Sequence, residues 1–234
     1  MAIDEALMES VAVSRIPTLR FYGWSCPTLS LGYFQATGDF DTWALGREPM
    51  AMVRRRSGGG AILHHREITY SLAIPTDSSE TGAREEIYQS THAAIIAALA
   101  NWNIVGKPHR ELPNSSQQVI SPEPFLCFQR RTDEDLIVAG YKVLGSAQRR
   151  TRGAILQHGS LLCCVSPWAP ELPGITQLTG VAIQYEDLVS QITQQIGREQ
   201  KIAWESGELT TAETQAATQI RQDRYGNPAW TARR

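Results

Sequence analysis

Between positions 83 and 102 the side chains of Ile87, Thr91, Ala94, Ile95, Ala98, Leu99 and Trp102 recur every three or four residues, which predicts a long amphipathic helix. Ile3, Ala6, Leu7 and Val11 repeat that spacing and predict a helix at the very start of the chain. Elsewhere the period shortens. TLRFYGW (18–24) and TLSLGY (28–33) are rich in β-branched and aromatic residues, and the SCP between them suits two strands joined by a tight connection. AMVRRR (51–56), AILHH (61–65) and ITYSLAIP (68–75) carry the same texture around a glycine triplet. Later, DLIVAG, YKVLGSAQ, GAILQHG and SLLCCV are short runs punctuated by glycine, predicted as an antiparallel meander. PHRELPNSSQQVISPEP (108–124) contains four prolines and no period, so it is expected to be a long loop. Two further helices are expected near 184–197 and 211–224, forming a helical tail over about 184–225. Strands in two clusters with helices between and after them indicate an α+β fold, a mostly antiparallel mixed sheet with flanking helices, in one domain spanning 1–234.

Composition narrows the choice of partners. A chain of 234 residues that is 42% hydrophobic can bury a real core, and a formal net charge of −2 provides no global attraction to nucleic acid or to an acidic membrane. No run approaches the roughly 20 apolar residues needed to cross a bilayer. MAIDEALMES has acids where a signal peptide would be basic, so a cytoplasmic protein is expected. Cys26, Cys127, Cys163 and Cys164 show neither CxxC spacing nor histidines at zinc-ligand intervals, so no metal site is expected. A cysteine with a special role here is more readily a nucleophile than a crosslink.

The densest chemistry lies in RRRSGGGAILHHREITYS (54–71). It has neither the GxxxxGK[ST] spacing of a phosphate loop nor the GxGxxG of a dinucleotide site, and the glycines lead into a strand instead of a helix N-terminus. What remains is a turn in which backbone can approach a ligand closely, or, equally, a glycine hairpin with solvated arginines. His64 and His65 alternate along a strand, so one faces the pocket side and the other the opposite side.

Taken with AGYKVLGSAQRRTRGAILQHGSLL (139–162), this stretch resembles the lipoate-protein ligase and octanoyltransferase family, whose catalytic domain is also similar to biotin-protein ligases and to class II synthetases. The family pattern RRxSGGGAxxH, then GxKxxGSAxxR and HG[ST]LL, is present in order, and PTLRFYGW with TLSLGYFQ (17–35) and MAIDEAL match two further blocks. Two positions depart from it. Position 65 is His where the family commonly has Asp, and the chain begins without the strand that usually precedes MAIDEAL.

Members of this family divide by how the acyl group is activated. Ligases use ATP and magnesium to make an acyl-adenylate, whereas octanoyltransferases take a thioester from acyl carrier protein and require no cofactor. The Cys-Phe dipeptide in PFLCFQ resembles the nucleophile of the transferases, and Lys142 in YKVLGSAQ matches the family's catalytic lysine. A lysine ammonium stabilises a neighbouring thiolate, and the neutral amine can serve as general base. The resemblance therefore implies Cys127 and Lys142 as catalytic residues, with Lys142 expected to deprotonate first Cys127 and later the incoming amine. It further implies an acyl-binding wall from Arg55, Ser57, Gly58, Gly59, Gly60 and His64, together with Gly145, Ser146, Ala147, His158 and Gly159, with backbone N–H groups of Gly145 and Ser146 as an oxyanion site. The implied reaction moves octanoyl from acyl carrier protein to a lysine of a lipoyl domain, such as the glycine-cleavage H protein. Arg54, Arg55, Arg149, Arg150 and Arg152 are expected to form a docking patch for these acidic partners. EITYS and ILQHGSLL favour the transferase strings, and the tail leaves no room for the small C-terminal domain of many ligases. The alternatives are an ATP-dependent lipoate ligase, an amidotransferase between lipoyl domains, and a non-catalytic module that binds carrier proteins. The last has no need of Cys127 or Lys142.

Overall fold

The computed structural model describes residues 1–44, 49–77, 82–113 and 124–233. The N-terminal periodic run is helix α1 (Ala2–Ser14), and the first two strand-like runs are β1 (Thr18–Tyr22) and β2 (Thr28–Leu31). The tight connection expected between them links two sheets, not neighbours in one, because β1 edges a six-stranded sheet and β2 is the centre of a three-stranded one. Helix α2 (Thr37–Ala44) follows, then β3 (Ala51–Arg54), β4 (Ile62–His64) and β5 (Glu67–Pro75). β2 runs parallel to β3 and antiparallel to β4, which brings the glycine turn between β3 and β4 to one end of the small sheet.

The long periodic segment is α3 (Ala83–Ala100), after which come β6 (Gly106–Pro108), β7 (Leu136–Val138), β8 (Tyr141–Thr151) and β9 (Ala154–Leu162). Positions 114–123 of the proline-rich run expected as a loop lie outside the described residues. The large sheet has the order β1-β5-β9-β8-β7-β6, with antiparallel neighbours throughout. AILQHG and the SLL of SLLCCV, expected in separate runs, form the single strand β9, which ends before Cys163. Gly159 does not break it, since it pairs with both Tyr70 and Ser146. Helices α4 (Ile175–Thr179), α5 (Tyr185–Gln200), α6 (Thr211–Ile220) and α7 (Pro228–Thr231) complete the fold, with a π-turn (Arg221–Tyr225) before the last. Thr210 and Glu213 close a reciprocal capping box at the start of α6.

Alternation along the strands sorts side chains to two faces. Tyr70, Leu72, Leu144 and Ile155 pack with Ile95 and Leu99 of α3 and Ile192 and Ile196 of α5 in the main core. On the other face Ala73, Ala154 and Leu156 meet Met8 and Val11 of α1, whose Ala6 packs in turn on Ala217 and Ile220 of α6. Among the described residues no helix is long and apolar enough to cross a membrane.

Candidate active site

The three arginines that open the glycine stretch each bind a different piece of chain. Arg54, fully buried, donates through Nη1 to the carbonyls of Gly32 (3.0 Å) and Gln35 (2.6 Å), and through Nε to Thr231 of the C-terminal helix (2.9 Å). Arg55 donates to Ser30 O (2.7 Å), Gly58 O (2.8 Å) and Gly60 O (2.7 Å), so one guanidinium staples the glycine turn to β2. Burial pushes its pKa down to about 10, an effect that Cys127 opposes. Arg56 pairs with Glu5 of α1, which also receives Arg224 at 2.8 Å. The expected docking patch is corrected accordingly. Arg54 and Arg55 serve carbonyl groups in the interior: the glycine turn aims peptide oxygens at Arg55, and the segment after β2 and the C-terminal helix aim theirs at Arg54. Arg149 is half-buried and donates to Arg56 O, while Arg150 and Arg152 are exposed.

Residues 125–127 dock on the far side of the turn. Ala61 N–H donates to Phe125 O (3.0 Å) and Cys127 N–H to Ala61 O (2.7 Å), after which a 3₁₀ turn (Cys127–Gln129) brings the chain back. This places Cys127 Sγ 3.9 Å from Lys142 Nζ. Lys142 is buried next to exposed Tyr141, as strand alternation requires. Its Nζ lies 2.8 Å from Asp135 Oδ2, 3.2 Å from Cys127 O and 3.3 Å from Arg130 O, an acceptor for each of three N–H bonds. Asp135, 2% exposed, also accepts from Thr132 N–H at 2.6 Å. Gly145 makes room for this arrangement, since a Cβ there would stand 2.8 Å from Lys142 Cε.

Cys127, Lys142 and Asp135 border a cavity of about 200 Å³. Its walls also carry Arg55, Gly58 and Gly59 from the glycine turn, His64 and Ile62 from β4, and Gly145, Ser146, Ala147, His158 and Gly159 from β8 and β9. The structure thus gathers most of the expected residues around one space. Ser57 and Gly60 stand beside it. Ser57 lines a smaller neighbouring cavity and bonds His158 Nε2 at 2.8 Å, and a Cβ at Gly60 would lie 3.0 Å from Cys127 N. His158 is pushed down to about 4 by burial, with Arg55 adding to the effect, and is therefore a neutral hydrogen-bonding ring. The two adjacent histidines separate as alternation predicts. His64 is buried at the cavity, and His65 turns away to Ser166 Oγ (3.0 Å) and the edge of Trp168. Cys163 packs against the main core, Cys164 meets Thr176, and Cys26 is exposed, so none of the three shares the cavity.

A chain of polar groups supports the β8 wall from behind. His92 Nδ1 lies 2.6 Å from Glu134 O, a carbonyl, so it carries the proton and donates. Burial pushes His92 down to about 4, leaving Nε2 bare to accept from Ser146 Oγ at 2.7 Å. Ser146 Oγ then accepts from Tyr70 OH (2.7 Å), which accepts from Gln157 Nε2 (2.8 Å), whose amide oxygen accepts from Gln148 Nε2 (2.8 Å). Every donor has one assignment. Among the described residues no group of three or more His, Cys, Asp or Glu side chains is arranged to hold a metal ion.

The family model for the lipoyl protein ligase A/B catalytic domain matches residues 1–204. The chain belongs to that family. An octanoyltransferase LipM from Kyrpidia tusciae is 31% identical over 258 residues, an alignment covering all of this chain and 94% of the relative. Among solved structures, a lipoate-protein ligase A bound with ATP superposes with a TM-score of 0.77 at 20% identity, over 99% of this chain and 92% of the other. A bi-partite lipoate protein ligase from Thermoplasma acidophilum superposes with a TM-score of 0.75 at 18% identity, over 99% and 89%. At these identities the structures share the fold with this chain. The acyltransferase reading of the sequence agrees with the family and with its named octanoyltransferase relative.

Within the lipoyl ligase frame, the residues that sequence reasoning missed are Asp135, Tyr70 and His92. Asp135 opens DLIVAG and reads as a polar residue ahead of an apolar run. A signal was nevertheless present: a lysine directed inward needs an anion, and Asp135 is the acid immediately before β7, the strand whose Ile137 pairs with Lys142.

Proposed function

We propose that this chain is an octanoyltransferase that carries the acyl group on Cys127 and delivers it to a lysine of a lipoyl domain. The observation that carries the proposal is the Cys127 Sγ to Lys142 Nζ approach of 3.9 Å at the edge of a 200 Å³ cavity. Lys142 takes the thiol proton, and the resulting ammonium, held by Asp135 and two carbonyls, stabilises the thiolate. Sulfur attacks the carbonyl of octanoyl-acyl carrier protein, the carrier's C–S bond breaks, and the carrier departs as a thiol after taking the proton held on Lys142. The acceptor amine then attacks the enzyme thioester and passes its N–H proton to neutral Lys142, the Cys127 C–S bond breaks with its electron pair returning to sulfur, and an amide remains. A thioester going to an amide is downhill, so neither ATP nor magnesium enters. Burial at about 0.8 kcal/mol per methylene favours an eight-carbon chain over short ones. An oxyanion donor is drawn from the backbone at Gly145 and Ser146, whose N–H groups alternate along β8 so that one of the two is free of the β9 ladder. The acceptor of this reading is a lipoyl domain such as the glycine-cleavage H protein, and the donor an acyl carrier protein, both met in the cytoplasm by one catalytic domain.

The test is transfer from octanoyl-acyl carrier protein to a lipoyl domain in buffer free of ATP and magnesium. Product formation that is lost in Cys127→Ala supports the reading. Transfer that requires ATP and free lipoate instead assigns the chain to the ligases.

A further inference from the structure

Paired residues of an antiparallel sheet share a face, so the register of the large sheet assembles rows of side chains across it. One row reads Gly145 of β8, Ser160 of β9, Thr69 of β5 and Tyr22 of β1, and all four border the cavity of Cys127. Its first member lies at the catalytic pair, since a Cβ on Gly145 would stand 2.8 Å from Lys142 Cε. The next two are small. Thr69 Oγ1 is already bonded to Glu67 (2.7 Å) and Trp24 (3.0 Å), so an apolar chain laid over it costs no hydrogen bond. The neighbouring row on this face, Ala147 and then His158, is blocked at its second strand, because the His158 ring is fixed by Ser57 at 2.8 Å. An acyl chain leaving Cys127 therefore finds its depth over Ser160 and Thr69. The row ends on a large ring that is clamped. Tyr22 OH donates to Asp4 Oδ2 (2.7 Å), the Arg20 guanidinium lies 3.9 Å from the Tyr22 ring centroid and is itself held by Asp4 at 2.7 Å, and Trp24 lies against Tyr22 with ring centroids 6.2 Å apart.

We propose that Tyr22 determines acyl-chain length: the octanoyl chain lies across the sheet over Ser160 and Thr69, and its methyl end meets the clamped Tyr22 ring, which refuses longer chains. This rests on the acyl-cysteine reading above and names where the chain stops. The distances fit. Neighbouring strands lie about 4.8 Å apart, so β8 to β5 is about 10 Å, with Tyr22 one strand further. Eight extended carbons, with bonds of about 1.5 Å in a zigzag, span about 9 Å. A chain of ten or twelve carbons would have to displace a ring held by a buried carboxylate and a guanidinium. A shorter chain leaves part of the row uncovered and loses the burial of each missing methylene.

The test is the rate of acyl-enzyme formation, followed by intact mass, with acyl carrier protein bearing chains of six, eight, ten and twelve carbons. The proposal expects wild type to charge from the twelve-carbon donor about a hundredfold more slowly than from octanoyl, or worse. Tyr22→Ala is expected to raise the twelve-to-eight rate ratio about a hundredfold, and Tyr22→Phe, which keeps the ring and loses only the hydroxyl, to hold the wild-type ratio within a few-fold. Ser160→Val, which fills the row one strand from β8, is expected to shift preference from eight carbons toward six about tenfold or more. A ratio that Tyr22→Ala leaves unchanged overturns the assignment, as does a length profile that Ser160→Val leaves unchanged or a wild type that charges from all four donors alike. Loss of charging from every donor in both Tyr22 variants makes the ring structural and overturns it as well. With Tyr22→Ala unfolded, the wild-type profile and Ser160→Val decide by the same criteria. A wild type that charges from none of the donors overturns the octanoyltransferase reading itself.

Discussion

The carboxylate of Asp135 holds the ammonium of Lys142 at 2.8 Å in a site where both side chains are buried. Removing one partner of such a pair leaves an uncompensated charge in low dielectric, which costs about 3–5 kcal/mol. Asp135→Ala is therefore expected to lose stability on that scale in a denaturant titration. Replacing both partners with apolar side chains, as in Asp135→Leu with Lys142→Met, is expected to restore most of the stability while acyl-enzyme formation stays abolished. A double variant that still forms acyl-enzyme would remove Lys142 from the chemistry.

Gly159 lies where β9 passes closest to the polar chain behind the cavity. A Cβ at this position would stand 2.4 Å from Ser146 Oγ and 2.5 Å from Tyr70 Cε1. Because Ser146 is held by both Tyr70 and His92, it cannot move aside cheaply. Gly159→Ala is expected to lose about 1–3 kcal/mol by thermal or denaturant unfolding, as overpacked cores do.

His92 gives the protein a pH dependence with a definite sign. Its folded pKa of about 4 lies below the ordinary 6.5, so between those values the unfolded chain binds a proton that the folded chain refuses. The stability from this group is fully present above pH 6.5 and declines as the pH falls toward 4, by roughly 3 kcal/mol in all. His158, also at about 4, acts over the same window, whereas Asp4, held near 2 against desolvation by the chain amine, Arg20 and Tyr22, acts below pH 3.8. Unfolding titrations from pH 7 to 4 are expected to show the decline, and His92→Gln to flatten it.

Arg54 joins β3 to the C-terminal helix through Thr231 O, and Trp230 Nε1 returns a bond to Arg54 O at 2.9 Å. Arg54→Leu would remove the side-chain donor from the carbonyls of Gln35 and Thr231 and leave Gly32 O only the Gln35 N–H. Loss of about 3 kcal/mol or more is expected, with faster hydrogen exchange in residues 211–233 than in α3.

What the sequence allowed to be foreseen follows from the range of the forces involved. The α3 period and the glycine turn between strands are local, and both stand where they were expected. Cys127 and Lys142 were legible through short motifs, and the fold brings them together. Sheet membership is a long-range property, so TLRFYGW and TLSLGY gave no sign of belonging to different sheets. Arg54 and Arg55 read as surface charge because composition does not reveal where a turn aims its carbonyls. His92 was hidden among small helical residues; only the tertiary fold sets it against Ser146 and Glu134. Gly159 resembled punctuation, yet the close approach of Tyr70 requires it inside a strand.

The central claim, that the acyl group resides on Cys127 next to Lys142, is tested most directly by the intact mass of the protein after incubation with octanoyl-acyl carrier protein alone. The account predicts a single octanoyl adduct, released by hydroxylamine, mapping to Cys127 and missing in Cys127→Ala. An adduct that persists in Cys127→Ala, or no adduct while ATP and lipoate yield an acyl-adenylate, would contradict it.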